Sequence, residues 1–188
     1  MKNIILLSGK AHSGKNYCAD YLEEQLKAKG YRVVQDMFAK YIKGYLKDYY
    51  GWDGITKDDF YRDKMQQLGT DIIKEKLNYK SFHALRLAQD ISIIENDFDY
   101  IIISDCRFRD EIYTMRAMFP DKVIDIRVDR IDKDVRNDLG ELANHKSEID
   151  LDDFKFTYYI DKDGTDNVKS WLDSLINVLV RQSNGTEV

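Results

Sequence analysis

Residues 9–16 read Gly9-Lys10-Ala11-His12-Ser13-Gly14-Lys15-Asn16, the pattern G-x-x-x-x-G-K, and they join two segments of opposite character. Before them, Lys2–Leu7 is a short, continuous apolar run, which suits a strand buried on both faces of a parallel sheet. After them, Lys15–Lys29 sets Cys18, Leu22 and Leu26 at four-residue spacing and stops at Gly30, which predicts an amphipathic helix. A loop with two glycines between such a strand and such a helix can fold closely around a phosphate chain. Its N–H groups turn inward and the helix N-terminus adds positive potential. Lys15 would then reach the β- and γ-phosphates of a nucleotide. The alternative, a plain glycine turn, explains neither the lysine nor the context. Gly9, His12, Ser13, Gly14, Lys15, Asn16 and Tyr17 form the candidate nucleotide-binding set. His12 has two readings, a phosphate contact or an exposed loop imidazole. Asn16 stands where Ser or Thr usually ligates Mg²⁺; its amide oxygen is also a hard neutral ligand, so it is a candidate metal position.

Beyond Gly30 the strand and helix patterns keep alternating. Tyr31–Phe38 reads as a strand and Ala39–Tyr50 as a helix, and Gly51-Trp52-Asp53-Gly54 breaks the pattern. Thr56–Asn96 is mostly helical, with Thr56 as N-cap and two helices meeting near Asn78–Ser81. Tyr100–Ser104 and Lys122–Val128 are strands flanking a helix at Glu111–Phe119 that Pro120 ends. Asp129–Asp153 is charged and irregular, and Phe156–Ile160 is a fifth strand. A last helix from about Thr165 carries the stripe Val168, Trp171, Leu172, Leu175, Ile176 and Leu179. Strands alternating with helices predict an α/β fold on a mainly parallel five-stranded sheet. Ligands in such sheets bind at the carboxyl ends of the strands, here after Leu7, Phe38, Ser104 and Val128.

Length and charge narrow the class. The 188 residues suit one domain. The apolar runs Ile4–Leu7 and Ile101–Ile103 are far too short to span a bilayer. Two cysteines cannot form a disulfide framework and fit a reducing cytoplasm. A formal charge of −5 argues against a nucleic acid polymer as partner.

Asp105 ends the apolar run Tyr100–Ser104, the place where a Mg²⁺-organising carboxylate is expected beside a phosphate loop. Arg107 follows and suits bidentate phosphate binding, whereas Arg109 fits an ion pair with Asp110 or Glu111 equally well. Arg130 and Arg136 lie past the fourth strand, within a segment that also holds Asp129, Asp132, Asp134, Asp138 and Glu141. Cations that close over a transferring phosphoryl group are useful, and Arg130 is best placed for that; a solvated, charge-balanced loop is the other reading. Cys106 reads as packing, and His83 as a structural residue of a helical stretch.

The chain resembles the phage and bacterial deoxynucleoside monophosphate kinases of the P-loop nucleotide-kinase superfamily. The resemblance rests on Ser8-Gly9 through Asn16, Phe38-Ala39 through Lys43, and Gln67-Leu68-Gly69-Thr70-Asp71. It continues through Ser104-Asp105-Cys106-Arg107-Phe108 with Glu111, His145-Lys146-Ser147-Glu148, and Phe156 through Gly164. It implies a three-layer P-loop NTPase fold, a helical acceptor-binding region over residues 39–96, and a short lid over residues 130–150. It also implies ATP as donor, Mg²⁺ held near Asn16 and Asp105, and catalysis by Lys15, Asp105, Arg107 and Arg130. The acceptor would be a nucleoside monophosphate met by Asp36, Lys43, Gln67, Thr70, Asp71 and Arg107. The assembly would be a monomer or homodimer in the cytoplasm of a cell or a phage's host. Lys40 and Lys74 depart from the family's usual Asp and Arg. Base stacking would draw on Tyr41, Tyr45, Trp52, Phe60 and Phe82. Two alternatives stand beside this reading. One is a phosphomevalonate kinase-like enzyme, with Lys40, Lys43 and Lys64 as anion contacts. The other is a regulator that binds nucleotide without turnover.

Overall fold

The computed structural model describes residues 1–56, 58–130, 145–162 and 165–184. Five strands form one sheet: β1 (Asn3–Ser8), β2 (Val33–Asp36), β3 (Tyr100–Cys106), β4 (Val123–Arg130) and β5 (Tyr158–Lys162). Their order is β2-β3-β1-β4-β5, and every neighbouring pair is parallel. The helices are α1 (Lys15–Ala28), α2 (Lys40–Tyr50), α3 (Asp59–Gln66), α4 (Phe82–Ile94), α5 (Arg109–Met118), α6 (Lys146–Ile149) and α7 (Thr165–Asn184), with a π-helical segment, Gln67–Lys76, continuing α3. This is the expected three-layer α/β arrangement.

The alternation of side chains along a strand builds the two outer layers. From β1, Ile5 and Leu7 enter one apolar cluster with Leu22 and Leu26 of α1 and Leu172, Ile176 and Leu179 of α7. Ile4 and Leu6 enter the other, with Leu87 and Ile91 of α4 and Ile112 and Met115 of α5. Full burial of one such side chain contributes about 1.5–3 kcal/mol. Strand β1 lies centrally: the chain leaves it toward β2 and β3 on one side and later reaches β4 and β5 on the other. That reversal opens a crevice at the carboxyl ends of β1 and β3.

Several boundaries differ from the sequence reading for local reasons. Strand β2 is shorter than Tyr31–Phe38. Tyr31 N–H still bonds Leu26 O behind α1, and the N–H groups of Phe38 and Ala39 are taken by the Asp105 carboxylate. The N-cap of α3 is Asp58, which accepts from Tyr61 N–H at 2.9 Å, while Thr56 bonds Asp53. The predicted helix pair over Thr56–Asn96 is three pieces, parted after the π-helical segment by Asn78 at φ 55°. Helix α5 starts at Arg109, because Glu111 reaches back to accept from Arg107 N–H and Phe108 N–H. Within the charged stretch Asp129–Asp153, β4 extends to Arg130 and α6 forms at Lys146–Ile149. Trp171 is half-buried at the margin of its cluster rather than inside it. No described helix is long and apolar enough to cross a membrane.

Candidate active site

The phosphate-loop geometry follows from its glycines. At Gly9, φ is +154°, and a Cβ would sit 2.3 Å from the backbone oxygen of Val128 and 2.6 Å from Ser13 Oγ. Gly14 precedes α1 at φ 94°, also a glycine conformation. His12 takes φ 60° and is exposed. Lys15 is only 8% exposed, and its Nζ donates to Gly9 O and Lys10 O, each at 2.7 Å. Burial first and Arg107 second lower its pKa to about 8, against an upward pull from Glu148.

A second group closes over the loop. The Glu148 carboxylate accepts from Ala11 N–H at 3.0 Å and pairs with Arg107, while Lys10 Nζ donates to Glu148 O and pairs with Asp152. One acidic side chain thus holds a phosphate-loop N–H and the arginine after β3 together.

Asp105 lies near the end of β3, where the β1–β3 register shifts between Leu6 and Ser8. Its two oxygens accept from Phe38 N–H and Ala39 N–H at 2.9 Å each, which fixes the start of α2 against β3. Burial raises its pKa, and those two N–H groups and Arg107 oppose the rise.

These elements enclose a cavity of about 380 Å³. The loop contributes Ala11 and His12, Phe38 and Ala39 lead into α2, which contributes Ile42 and Lys43, and β3 with its exit contributes Asp105, Arg107 and Phe108. Arg62, Met65 and Gln66 come from α3, and Gly69, Thr70 and Lys74 come from the π-helical segment. The i→i+5 pattern of that segment sets Gly69 and Lys74 on one wall, and such irregularities frequently mark functional sites. His83 from α4, Glu111 from α5, and Ser147 and Glu148 from α6 complete the lining.

Among the described residues Lys74 Nζ makes no hydrogen bond of good geometry, and the ring nitrogens of His83 have only the Gly69 backbone near enough to act as a weak partner. Lys74 Nζ lies 3.7 Å from Glu111 Oε1 and 3.5 Å from the centre of the Phe108 ring. Burial raises the pKa of Glu111 to about 7, while Lys74 and the N–H groups of Arg107 and Phe108 restrain it. Burial and the Lys74 charge lower that of His83 to about 4, against a weaker opposite pull from the Gly69 backbone.

Of the residues expected from sequence, His12, Lys43, Thr70, Asp105 and Arg107 line the cavity. Lys15, Ser13, Gly9 and Gly14 form the loop beside it. Asn16 is exposed on the first turn of α1, and Tyr17 stacks on Tyr21 against the core. Asp36 pairs with Lys40, Gln67 accepts from Lys64, and Asp71 is exposed; these three lie off the cavity wall. Arg130 ends β4, paired in register with Lys162; Arg136 and most of the expected lid lie outside the described residues. Among the described residues no three His, Cys, Asp or Glu side chains gather as a metal site. The expected stacking aromatics are engaged elsewhere: Tyr41 bonds Asp90, Trp52 bonds Thr56 O and packs on Tyr61, and Phe82 meets His83 edge-on. Sequence reasoning noted Lys74 only as a departure and read His83 as structural. The one available signal was their shared helical stretch with Gly69 and Thr70.

The family model for phosphomevalonate kinase matches residues 7–121. A phosphomevalonate kinase of Drosophila melanogaster is 27% identical over 134 residues, covering 68% of each chain. Among solved structures, the Mycobacterium tuberculosis APS kinase in complex with AMPPNP and APS aligns with a TM-score of 0.54 and 11% identity, over 95% of this chain and 97% of that one. A sugar kinase from Janibacter sp. aligns with a TM-score of 0.52 and 12% identity, over 96% and 95%. These structures share the fold. The sequence matches favour the small-acceptor alternative over the deoxynucleoside monophosphate reading.

Proposed function

The chain belongs to the phosphomevalonate kinase family, and on that footing we propose that it transfers the γ-phosphoryl group of ATP to the phosphate of a small anionic acceptor of the phosphomevalonate class. The observation that carries this reading is the cavity wall. Lys43, Arg62, Lys74 and Arg107 bring four cations to it, while Phe38 and Phe108 are its only Phe, Tyr or Trp side chains among the described residues. A nucleotide base needs flat surfaces; a compact molecule with a phosphate at one end and a carboxylate at the other needs cations. Gln66 and Thr70 are the polar groups that favour a nucleoside monophosphate as the second reading.

The chemistry is an in-line displacement. An oxygen of the acceptor phosphate attacks the γ-phosphorus, the bond from that phosphorus to the β,γ-bridging oxygen breaks, and ADP leaves. An ionised phosphate needs little base catalysis, so positioning and charge stabilisation dominate. Lys15 lies under the loop between Gly9 O and Lys10 O, and Arg107 stands at the junction of loop and cavity. Both cations meet negative charge as it spreads over the transferring oxygens. For ATP to settle in the loop, its phosphate oxygens must replace the Glu148 carboxylate at Ala11 N–H and Arg107. Mg²⁺ keeps water and substrate oxygens as most of its ligands; the Asn16 amide on the first turn of α1 and the Asp105 carboxylate of β3 are the residues that would hold it. When bound, the ion would supply charge neutralisation on the phosphates.

A coupled ADP-release assay with phosphomevalonate, the four common deoxynucleoside monophosphates and no acceptor tests the reading. Turnover that depends on phosphomevalonate supports it. Turnover with a deoxynucleotide and none with phosphomevalonate transfers the assignment to the second reading, and no turnover with any acceptor favours a nucleotide-binding regulator.

A further inference from the structure

We propose that Glu148 is an autoinhibitory stand-in for phosphate, whose carboxylate keeps the donor site closed until ATP displaces it. The inference rests on the kinase reading above only through the phosphate loop, and it holds whichever acceptor is used.

The Glu148 side chain is 7% exposed. A carboxylate so far out of water needs charge-assisted partners. It finds them in two groups suited to a phosphate oxygen, Ala11 N–H at 3.0 Å and the Arg107 guanidinium. The backbone oxygen of the same residue takes the ammonium of Lys10, which also pairs with Asp152. Lys15 is engaged as well, with Gly9 O and Lys10 O. A loop N–H and three cations at the donor site are therefore already satisfied from within the chain. Exposed ion pairs contribute little. This one is sheltered and holds donors that the ligand needs, so it competes with the ligand.

The contacts around α6 divide into a fixed end and a releasable one. Just past the helix, the Asp150 carboxylate accepts from Arg109 N–H at 2.8 Å. The Arg109 guanidinium donates to Asp150 O at 2.6 Å and to Asp153 at 2.7 Å. Arg109 is not part of the cavity lining, so a nucleotide leaves this anchor in place. At the start of the helix, Lys146 pairs with Glu75 of the π-helical segment at 2.6 Å, and Ser147 lines the cavity. Glu148 lies between the two. Its release from Ala11 and Arg107 frees the middle of α6, while Arg109 keeps the carboxylate within reach to return when ADP leaves. A closed state of this kind lowers apparent affinity by the open fraction, and two charge-assisted bonds hold that fraction to about a tenth.

Calorimetric titration with AMPPNP and Mg²⁺, without acceptor, measures Kd for wild type, Glu148→Gln and Glu148→Ala. Glu148→Ala is expected to lower Kd about tenfold. Glu148→Gln is expected to lower it less, because its amide oxygen still accepts from Ala11 N–H. An unchanged or raised Kd in Glu148→Ala overturns the proposal, and a raised one makes Glu148 a positioning residue for Arg107 instead. Since no acceptor is present, failure of the acceptor assignment leaves this result standing. AMPPNP binding to neither wild type nor Glu148→Ala overturns the proposal and the kinase reading together. Hydrogen exchange of wild type gives a readout that needs no substitution. Residues 145–150 are expected to exchange faster with AMPPNP bound, and unchanged or slower exchange there overturns the proposal.

Discussion

Replacing Lys74 by Met should destabilise the protein in a pH-dependent way. Lys74 Nζ and Glu111 Oε1 lie 3.7 Å apart, and their side chains are 4% and 5% exposed. At an effective dielectric of about 20, that separation gives a gross attraction of about 4 kcal/mol. Two features reduce the net loss. Glu111 keeps the N–H groups of Arg107 and Phe108, at 2.8 and 3.0 Å, and the variant no longer buries an ammonium without hydrogen bonds. A loss of about 2–3 kcal/mol at pH 8 follows. Glu111 already has its pKa raised to about 7, and losing Lys74 raises it further. The stability linked to a raised carboxyl pKa is intact below its unfolded value and declines as pH rises through the folded one. At pH 6 the carboxyl is therefore mostly protonated in both proteins, and the difference should shrink by up to about 1.4 kcal/mol. Urea unfolding at pH 6 and pH 8 measures both values. Lys74→Met/Glu111→Gln should regain most of the pH 8 stability, while both variants, having lost one cation of the cavity wall, should show a raised KM for the acceptor. Equal destabilisation at the two pH values would refute the argument.

Other consequences are as direct. ATP binding at pH 8 should be accompanied by uptake of up to about half a proton, because anionic phosphates raise the pKa of Lys15 from about 8. Calorimetry in buffers of different ionisation enthalpy reads this, and Lys15→Met should abolish the uptake along with phosphoryl transfer. Gly9→Ala should cost about 1–3 kcal/mol and nearly all ATP affinity, because its Cβ would meet backbone at 2.3 Å; an unchanged melting curve would contradict this. Asp105→Asn replaces one of two acceptor oxygens by a donor facing an N–H, so it should cost about 1–3 kcal/mol in thermal unfolding and raise the KM for acceptor.

The sheet and the phosphate loop were legible in the sequence because their determinants are local. An apolar run, two glycines at a fixed interval and a four-residue helical stripe lie within about one turn of the residues they act on. The strand end at Asp105 was legible for the same reason, although its grip on Phe38 and Ala39 was not, since those residues lie more than sixty positions away. Glu148 is likewise brought to Ala11 from 137 residues along the chain. The acceptor wall was least legible. Gly69 and Lys74 share it through a π-helical pattern that no 3.6-residue periodicity encodes, and the burial of His83 in the same wall is a tertiary property. Aromatic content misled for a related reason: Tyr41 and Trp52 have the right chemistry for a base but spend it on Asp90 and Thr56.

The most direct measurement of the central claim is a ³¹P NMR spectrum of the full-length protein with ATP, Mg²⁺ and phosphomevalonate. Transfer to the acceptor phosphate predicts loss of the acceptor's monophosphate singlet and a new pair of diphosphate doublets, in step with ADP. ADP accompanied by inorganic phosphate alone, or an acceptor singlet unchanged while a deoxynucleoside monophosphate in a parallel tube is converted, would contradict it.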